Sequence, residues 1–339
     1  DEQSLRFSLT RTDEIAGEIA LDFLRDFDAD TLRLKLDAEE AAGGLVAALA
    51  GFADDTASRV SIDGDGPLTE WAITFDAAST DVFEARGEAQ ISLTGRIAAN
   101  ADFRLVPGAA LDPAVQRALA PEARLRIAVA EDENGIIRID EGAVTARDLS
   151  VEAQGTFDRA TTVSDLTVAL AVDGALSELI EGASFDAFAF DGAVTGPTDD
   201  LNATGRLSLA GFASAAADVG AAALDARVTI AGGRIALDVG GDVSEMRLDR
   251  LTPDLIGDAR LTIRGVYEGA EARLETLSLT ARPLDFAVSG AVDLEAETAA
   301  IDYALSAPNL APIAAAYDAD AAGGFEATGA LTGPLAAPR

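Results

Sequence analysis

Apolar and polar positions alternate along most of this chain. The runs Leu5/Phe7/Leu9, Ile19/Leu21/Phe23, Leu32/Leu34/Leu36, Trp71/Ile73/Phe75 and Leu125/Ile127/Val129 keep a two-residue period. So do Leu166/Val168/Leu170/Val172, Ile235/Leu237/Val239, Leu284/Phe286/Val288 and Ile301/Tyr303/Leu305. A β-strand points successive side chains to opposite faces, so each run builds one oily face and one face of Arg, Asp, Glu, Ser and Thr. Glycine-containing breaks follow at Asp63–Gly66, Glu133–Gly135, Asp173–Gly174, Ala231–Gly233, Gly240–Gly241 and Glu268–Gly269. Such breaks read as hairpin turns. The pattern predicts an all-β chain of antiparallel strands.

Four segments leave the alternation: Gly44–Phe52, Pro113–Leu119, Ala175–Ile180 and Leu310–Tyr317. Asp112 followed by Pro113 is an N-cap with proline at the first helical position. Each segment predicts a short helix or helical turn, too short to stand without packing on the sheet.

Phrases recur at a near-constant distance. ARLRI at Ala123–Ile127 returns as ARLTI at Ala259–Ile263, an offset of 136. TARDLSVEAQG at Thr145–Gly155 returns as TARPLDFAVSG at Thr280–Gly290, an offset of 135. DLTVAL at Asp165–Leu170 corresponds to AIDYAL at Ala300–Leu305 and to TLRLKL at Thr31–Leu36. Gly-Pro recurs at Gly66-Pro67, Gly196-Pro197 and Gly333-Pro334. These landmarks predict one continuous repetitive fragment over 1–339, with units near 1–66 (partial), 67–196 and 197–333. A β unit that cannot close on itself stacks its sheet on the next copy, which predicts an elongated body.

Composition narrows the chemistry. Of 339 residues 59 are acidic and 25 basic, a net charge of −34. Such a surface repels nucleic acid and gains nothing from anionic headgroups, so no nucleic-acid partner is expected. With no cysteine and no histidine, disulfides, thiolate or imidazole metal sites and Cys or His catalysis are excluded. Freedom from cysteine suits an oxidising compartment such as the periplasm. Lys35 is the only lysine, which removes a Walker lysine and a Ser–Lys dyad. Asp63-Gly64-Asp65-Gly66 looks like the start of a calcium loop, but the twelfth position counted from Asp63 is Thr74, so a β-turn is the reading. Carboxylates are too numerous for any pair to mark a glycosidase. No enzyme activity, cofactor or metal is expected. The chain opens without a Met or a signal-peptide pattern, and no run of 18 apolar residues offers a membrane span. It reads as an internal piece of something longer.

The oily face must be hidden. It either fills a sandwich or solenoid core, or lines a trough that meets something else. Aromatic residues make up 5% of the chain and the candidate helices are small, which leaves both solutions open.

GAVTGPTDDLNATGRLSLAGF (Gly192–Phe212), LSLTARPLDFAVSGAVDL (Leu277–Leu294) and LSAPNLAPIAAAYDADAAGGFEATGALTGPL (Leu305–Leu335) resemble the middle of the TamB family. TamB is the inner-membrane subunit of the translocation and assembly module of Gram-negative bacteria, related to AsmA-like and bridge-like lipid transfer proteins. The resemblance covers nearly the whole chain as a diffuse pattern of Gly-x-(Leu/Val)-x-Gly-Pro and Leu-x-Ala-x-x-Leu phrases. It implies a long antiparallel sheet curled into a β-taco with an apolar interior, in a periplasmic body anchored in the inner membrane elsewhere. It further implies movement of phospholipid toward the outer membrane, and an outer-membrane TamA-like partner met through regions outside this fragment. A scaffold for outer-membrane β-barrel assembly and a filled acidic β-solenoid are the alternative readings.

With that resemblance the oily face reads as a lining. Its expected members are Phe7, Phe23, Leu34, Phe75, Phe103, Leu170, Leu209, Ile230, Leu237, Leu261, Phe286 and Tyr303. A one-residue slip in register would turn a strand's whole set outward. Arg147 and Arg282 share the parity of Leu149 and Leu284, so the strand should begin after the arginine. The exchange of Asp148 for Pro283 fits a strand start, where a lost N–H matters little.

Overall fold

The alternating runs form strands in the computed structural model of the chain, which describes residues 1–11, 16–42, 56–174, 182–215, 217–248 and 256–334. The protein is all-β with two short helices among the described residues, and every strand pairing is antiparallel. By its contacts it divides into two compact units, Asp1–Thr161 and Thr162–Arg339.

The first unit holds β1 (Glu2–Thr10), β2 (Gly17–Asp26), β3 (Thr31–Glu40), β4 (Ser58–Pro67), β5 (Trp71–Ser79), β6 (Phe83–Ser92), β7 (Ala98–Pro107), β8 (Ala123–Glu131), β9 (Ile136–Thr145) and β10 (Leu149–Asp158). Each pairs with the next, a plain meander. The second unit holds β11 (Val163–Asp173), β12 (Ala183–Ser184), β13 (Ala187–Pro197), β14 (Asp200–Ser214), β15 (Ala217–Ala231), β16 (Arg234–Leu248), β17 (Gly257–Glu268), β18 (Glu271–Ala281), β19 (Asp285–Asp293), β20 (Thr298–Ala307) and β21 (Phe325–Pro334). It is a meander too, except that β11 pairs with β13 and the two-residue β12 lies beside β14. In neither unit does the last strand return to the first, so neither sheet closes.

Helix α1 (Pro113–Leu119) occupies the span its sequence predicts, and the Ala114 N–H donates to the Asp112 carboxylate at 2.8 Å. Helix α2 (Ala311–Ala316) falls within the expected Leu310–Tyr317. The other two expected helices, Gly44–Phe52 and Ala175–Ile180, lie outside the described residues. Long connections follow β3 and β7 in the first unit, and β11, β16 and β20 in the second. In a meander, strands of like direction alternate with their opposites, so within each unit these connections all leave from one rim. We call it the loop rim, and the opposite edge the turn rim.

The recurring phrases resolve into hairpins. β9 ends at Thr145 and β10 begins at Leu149; β18 ends at Ala281 and β19 begins at Asp285. Arg147-Asp148 and Arg282-Pro283 are therefore turn residues, closed by Ala146 N–H to Leu149 O at 2.8 Å and Ala281 N–H to Leu284 O at 3.0 Å. The strand starts after the arginine, as its parity demands.

Two of the expected breaks are not turns. Asp63–Gly66 lies inside β4 and Gly240–Gly241 inside β16. An alanine Cβ at Gly64 would meet the Trp71 indole at 2.5 Å, and one at Gly241 the Ala223 carbonyl oxygen at 2.1 Å. Glycine serves there to let a neighbour close in, which is its other use inside a strand. The same fact ends the calcium-loop and β-turn readings of Asp63–Gly66, whose two aspartates stand on the polar face of a strand.

Candidate functional site

The registers gather the alternating residues into one apolar face per unit. In the first unit Phe7, Leu21, Leu36, Ile62, Phe75, Gly87, Phe103, Leu125, Val144 and Val151 are successive partners across β1 to β10. In the second, Leu170, Phe190, Leu207, Leu224, Gly241, Leu261, Leu279, Phe286, Leu305 and Ala327 follow one another from β11 to β21. The row contains no hydrogen-bonding side chain.

Every residue expected to line the trough lies on these faces. Phe7, Phe23, Leu34, Phe75 and Phe103 share the first unit's face. Leu170, Leu209, Ile230, Leu237, Leu261, Phe286 and Tyr303 share the second's. None of them is buried: Phe7 is 47%, Ile230 42% and Leu237 37% exposed, and the rest are half-buried. The expected list omitted Trp71, Phe188 and Phe190, which share the same faces. Their signal was the same period, with Phe188 and Phe190 alternating with alanines in AFAF at Ala187–Phe190.

Burial on the second unit's face is graded from rim to rim. Toward the loop rim Val243 is 4%, Leu279 7% and Ala307 1% exposed. Toward the turn rim Ile235 is 39%, Tyr267 41% and Leu331 40% exposed. Phe325 in β21 is the exception, exposed near the loop rim. In the first unit the loop-rim ends of the strands bury small residues, Ala38, Ala77, Ala85 and Ala123, together with Ser58, Ser79 and Glu40. Glu40 lies within ion-pair distance of Arg11, at 4.0 Å. Among the described residues no large side chain is fully buried. A filled sandwich core would bury its large residues almost completely at close-packed density.

Glycines mark where the sheet curls toward this face. Gly87, Gly192, Gly205, Gly241 and Gly290 all sit on it in mid-strand. A Cβ at Gly87 would come within 2.3 Å of the Asp102 carbonyl oxygen, and one at Gly192 within 2.4 Å of the Thr204 carbonyl oxygen. Bending a sheet crowds the side chains of its inner face, and glycine relieves that crowding.

The opposite face is laced with charge. Arg6 pairs with Asp22 at 2.7 Å, Arg86 with Asp76 at 2.7 Å, Arg126 with Glu141 at 3.1 Å and Arg264 with Asp238 at 3.2 Å. Arg124 forks onto Asp102, and this hydrogen bond holds the Asp102 carboxyl below its ordinary range. Exposed pairs of this kind add little stability and mainly keep the face wet. A hollow of about 590 Å³ on the first unit's polar face is lined by Asp63, Asp65, Glu88, Asp102, Arg126 and Glu141. A twisted sheet is a saddle, concave along one diagonal of each face, so a shallow charged hollow here follows from twist.

Among the described strand residues, one arginine departs from the polar face. Arg25 shares the apolar parity at the turn rim, where it donates to Thr31 O at 3.0 Å and Asp30 Oδ1 and lies 5.2 Å over the Phe27 ring. Its charge is satisfied by the β2–β3 turn.

No family model matches this chain, and no curated protein matches it. Among the described residues no helix is long and apolar enough to cross a membrane, and no three acidic residues are grouped to hold a metal ion.

Proposed function

We propose that the chain is conduit wall: a segment of a periplasmic, TamB-like protein whose curled apolar faces shelter phospholipid acyl chains on their way from inner to outer membrane. One observation carries the reading. In each unit an apolar face runs unbroken across the strands, and most of its large residues stay partly exposed, with Trp71, Leu224 and Leu279 the buried exceptions.

The physics suits carriage better than storage. Each methylene withdrawn from water is worth about 0.8 kcal/mol, so even a partly sheltered chain is retained. A wall without directional polar contacts lets that chain slide. The acidic face keeps the apolar one in solution and favours zwitterionic over anionic headgroups. Anchoring and a TamA-like outer-membrane partner would belong to other parts of the protein.

The test is delipidated protein challenged with a phospholipid carrying a photo-crosslinker at mid-chain. Label is expected at Leu237, Leu261 and Phe286, and not at the polar-face neighbours Asp238, Thr262 and Ala287. Absent or evenly spread label would reject the proposal.

A further inference from the structure

Most aromatic side chains on an open β-face would stand up from it. Several here lie down. The Trp71 ring on β5 lies across Gly64 of the paired strand β4: a Cβ built on Gly64 would meet the indole at 2.5 and 2.8 Å. Tyr303 on β20 lies across Gly329 of β21, where a Cβ would meet the phenol ring at 2.5 Å. Trp71, although placed at the turn rim, is only 7% exposed because glycine leaves its ring a berth against the neighbouring strand.

These two glycines differ from those that permit the curl. At Gly87 and Gly192 the nearest atom to an added Cβ is a backbone carbonyl oxygen of the adjacent strand. At Gly64 and Gly329 the three nearest atoms all belong to the aromatic side chain. Neither Gly64 nor Gly329 has a positive φ. An alanine there would displace a ring and leave the strands in place.

We propose that Gly64 with Trp71, and Gly329 with Tyr303, set the clearance of the apolar face for the acyl chain of a zwitterionic diacyl phospholipid. The glycine keeps the ring flat on the floor; any side chain in its place lifts the ring into the space the chain would occupy. This rests on the lipid reading above. The occupant is an acyl chain because the registered rows of the floor, Phe7 to Val151 and Leu170 to Ala327, carry no hydrogen-bonding side chain, and the lipid is zwitterionic because the chain carries a net charge of −34. The pairs are specificity-determining, since the room above the floor decides what width of chain passes.

The chain carries its own reporter, for Trp71 is its only tryptophan. Delipidated protein is titrated with phosphatidylcholine vesicles brominated at mid-chain, and quenching of Trp71 emission is followed. Quenching is expected in the wild type. In Gly64→Ala the emission shifts red as the ring leaves its berth, and apparent affinity falls about four- to fifteen-fold, the worth of one or two methylenes of lost burial. Photo-crosslinking with the same lipid class covers variants that lack the tryptophan. There Gly64→Ala/Trp71→Ala recovers the label that Gly64→Ala loses, and Gly329→Ala lowers label at Phe286 in the other unit. Circular dichroism and melting confirm that each variant keeps its strands. Two further glycine variants, Gly64→Ser and Gly329→Ser, repeat the test if an alanine variant melts early. Wild-type protein that shows neither quenching nor label rejects the lipid reading itself. Wild-type binding that every glycine variant retains, or that the double variant fails to recover, overturns the clearance proposal alone.

Discussion

Phe75 and Phe103 lie two strands apart and still touch, edge to face, with ring centroids 6.0 Å apart. The residue between them in register is Gly87, and a Cβ there would meet the Phe103 ring at 2.4 Å. Two rings can meet over the middle strand only because that strand has no side chain on the shared face. The contact is a local measure of how far the sheet curls toward its apolar side.

Gly87→Val should therefore break more than a contact. The new Cβ would also press on the Asp102 carbonyl oxygen, forcing β6 and β7 apart. A loss of about 2–3 kcal/mol is expected, in the range of overpacked cores. Ala72→Val, on the exposed polar face of β5, should stay within about 0.5 kcal/mol. Urea midpoints of the two variants check the difference.

Position along the strand should separate folding from carriage. Leu224, 7% exposed, packs with Ala222, Val239 and Val243, while Leu237 is 37% exposed toward the turn rim. Leu224→Asp buries a carboxylate and should cost about 4 kcal/mol, enough to unfold the unit. Leu237→Asp should cost about 1 kcal/mol and still abolish lipid labelling, since a charge would then stand in the path of the acyl chain. Half-buried Phe286→Asp should fall between them. Melting temperatures beside labelling yields make the comparison; equal loss of both in Leu237→Asp would favour a filled core.

Acid should act in two directions. Hydrogen bonds hold several carboxyls below their ordinary range: Arg124 on Asp102, the Ile136 N–H on Asp132 and the Thr161 hydroxyl on Asp158. A carboxyl depressed in the folded state contributes stability that is complete above its unfolded value, near 3.8, and is lost as pH falls through the folded one. Asp132→Ala should thus lower the melting temperature at pH 7, with the gap narrowing as pH falls below 3.8. Repulsion among the excess acids works the other way. It is strongest at neutral pH and is screened by salt, so the wild-type melting temperature at pH 7 should rise with sodium chloride.

The cap of α1 gives a smaller test. Asp112→Ala removes the acceptor of the Ala114 N–H and should cost about 1 kcal/mol locally. Faster amide exchange within Pro113–Leu119, with the melt of the unit nearly unchanged, is the expected sign.

Much of this was legible in the residues. The two-residue period alone assigns strands, and it places all of the expected residues on the apolar faces, Phe7 and Tyr303 included. Asp112-Pro113 announces α1 to the residue. The misreadings are equally instructive. Asp63–Gly66 and Gly240–Gly241 look like turns because glycine has two uses in a β protein, reversing the chain and admitting a close neighbour. Sequence spacing does not distinguish them; Trp71 over Gly64 and the Ala223 carbonyl against Gly241 do.

What the sequence determined by itself is therefore local: which segments are strands, where their hairpins fall, and which side chains share a face. Alternation is a property of one strand, and each strand carries it complete. What the tertiary structure decided is the fate of that face. Leu224 and Ile230 sit on the same strand with the same parity, yet one is 7% and the other 42% exposed. Burial depends on the curl of the sheet and on where between the two rims a residue falls. Both are set by registers between strands and by glycines whose neighbours lie on other strands. No period within a strand encodes them.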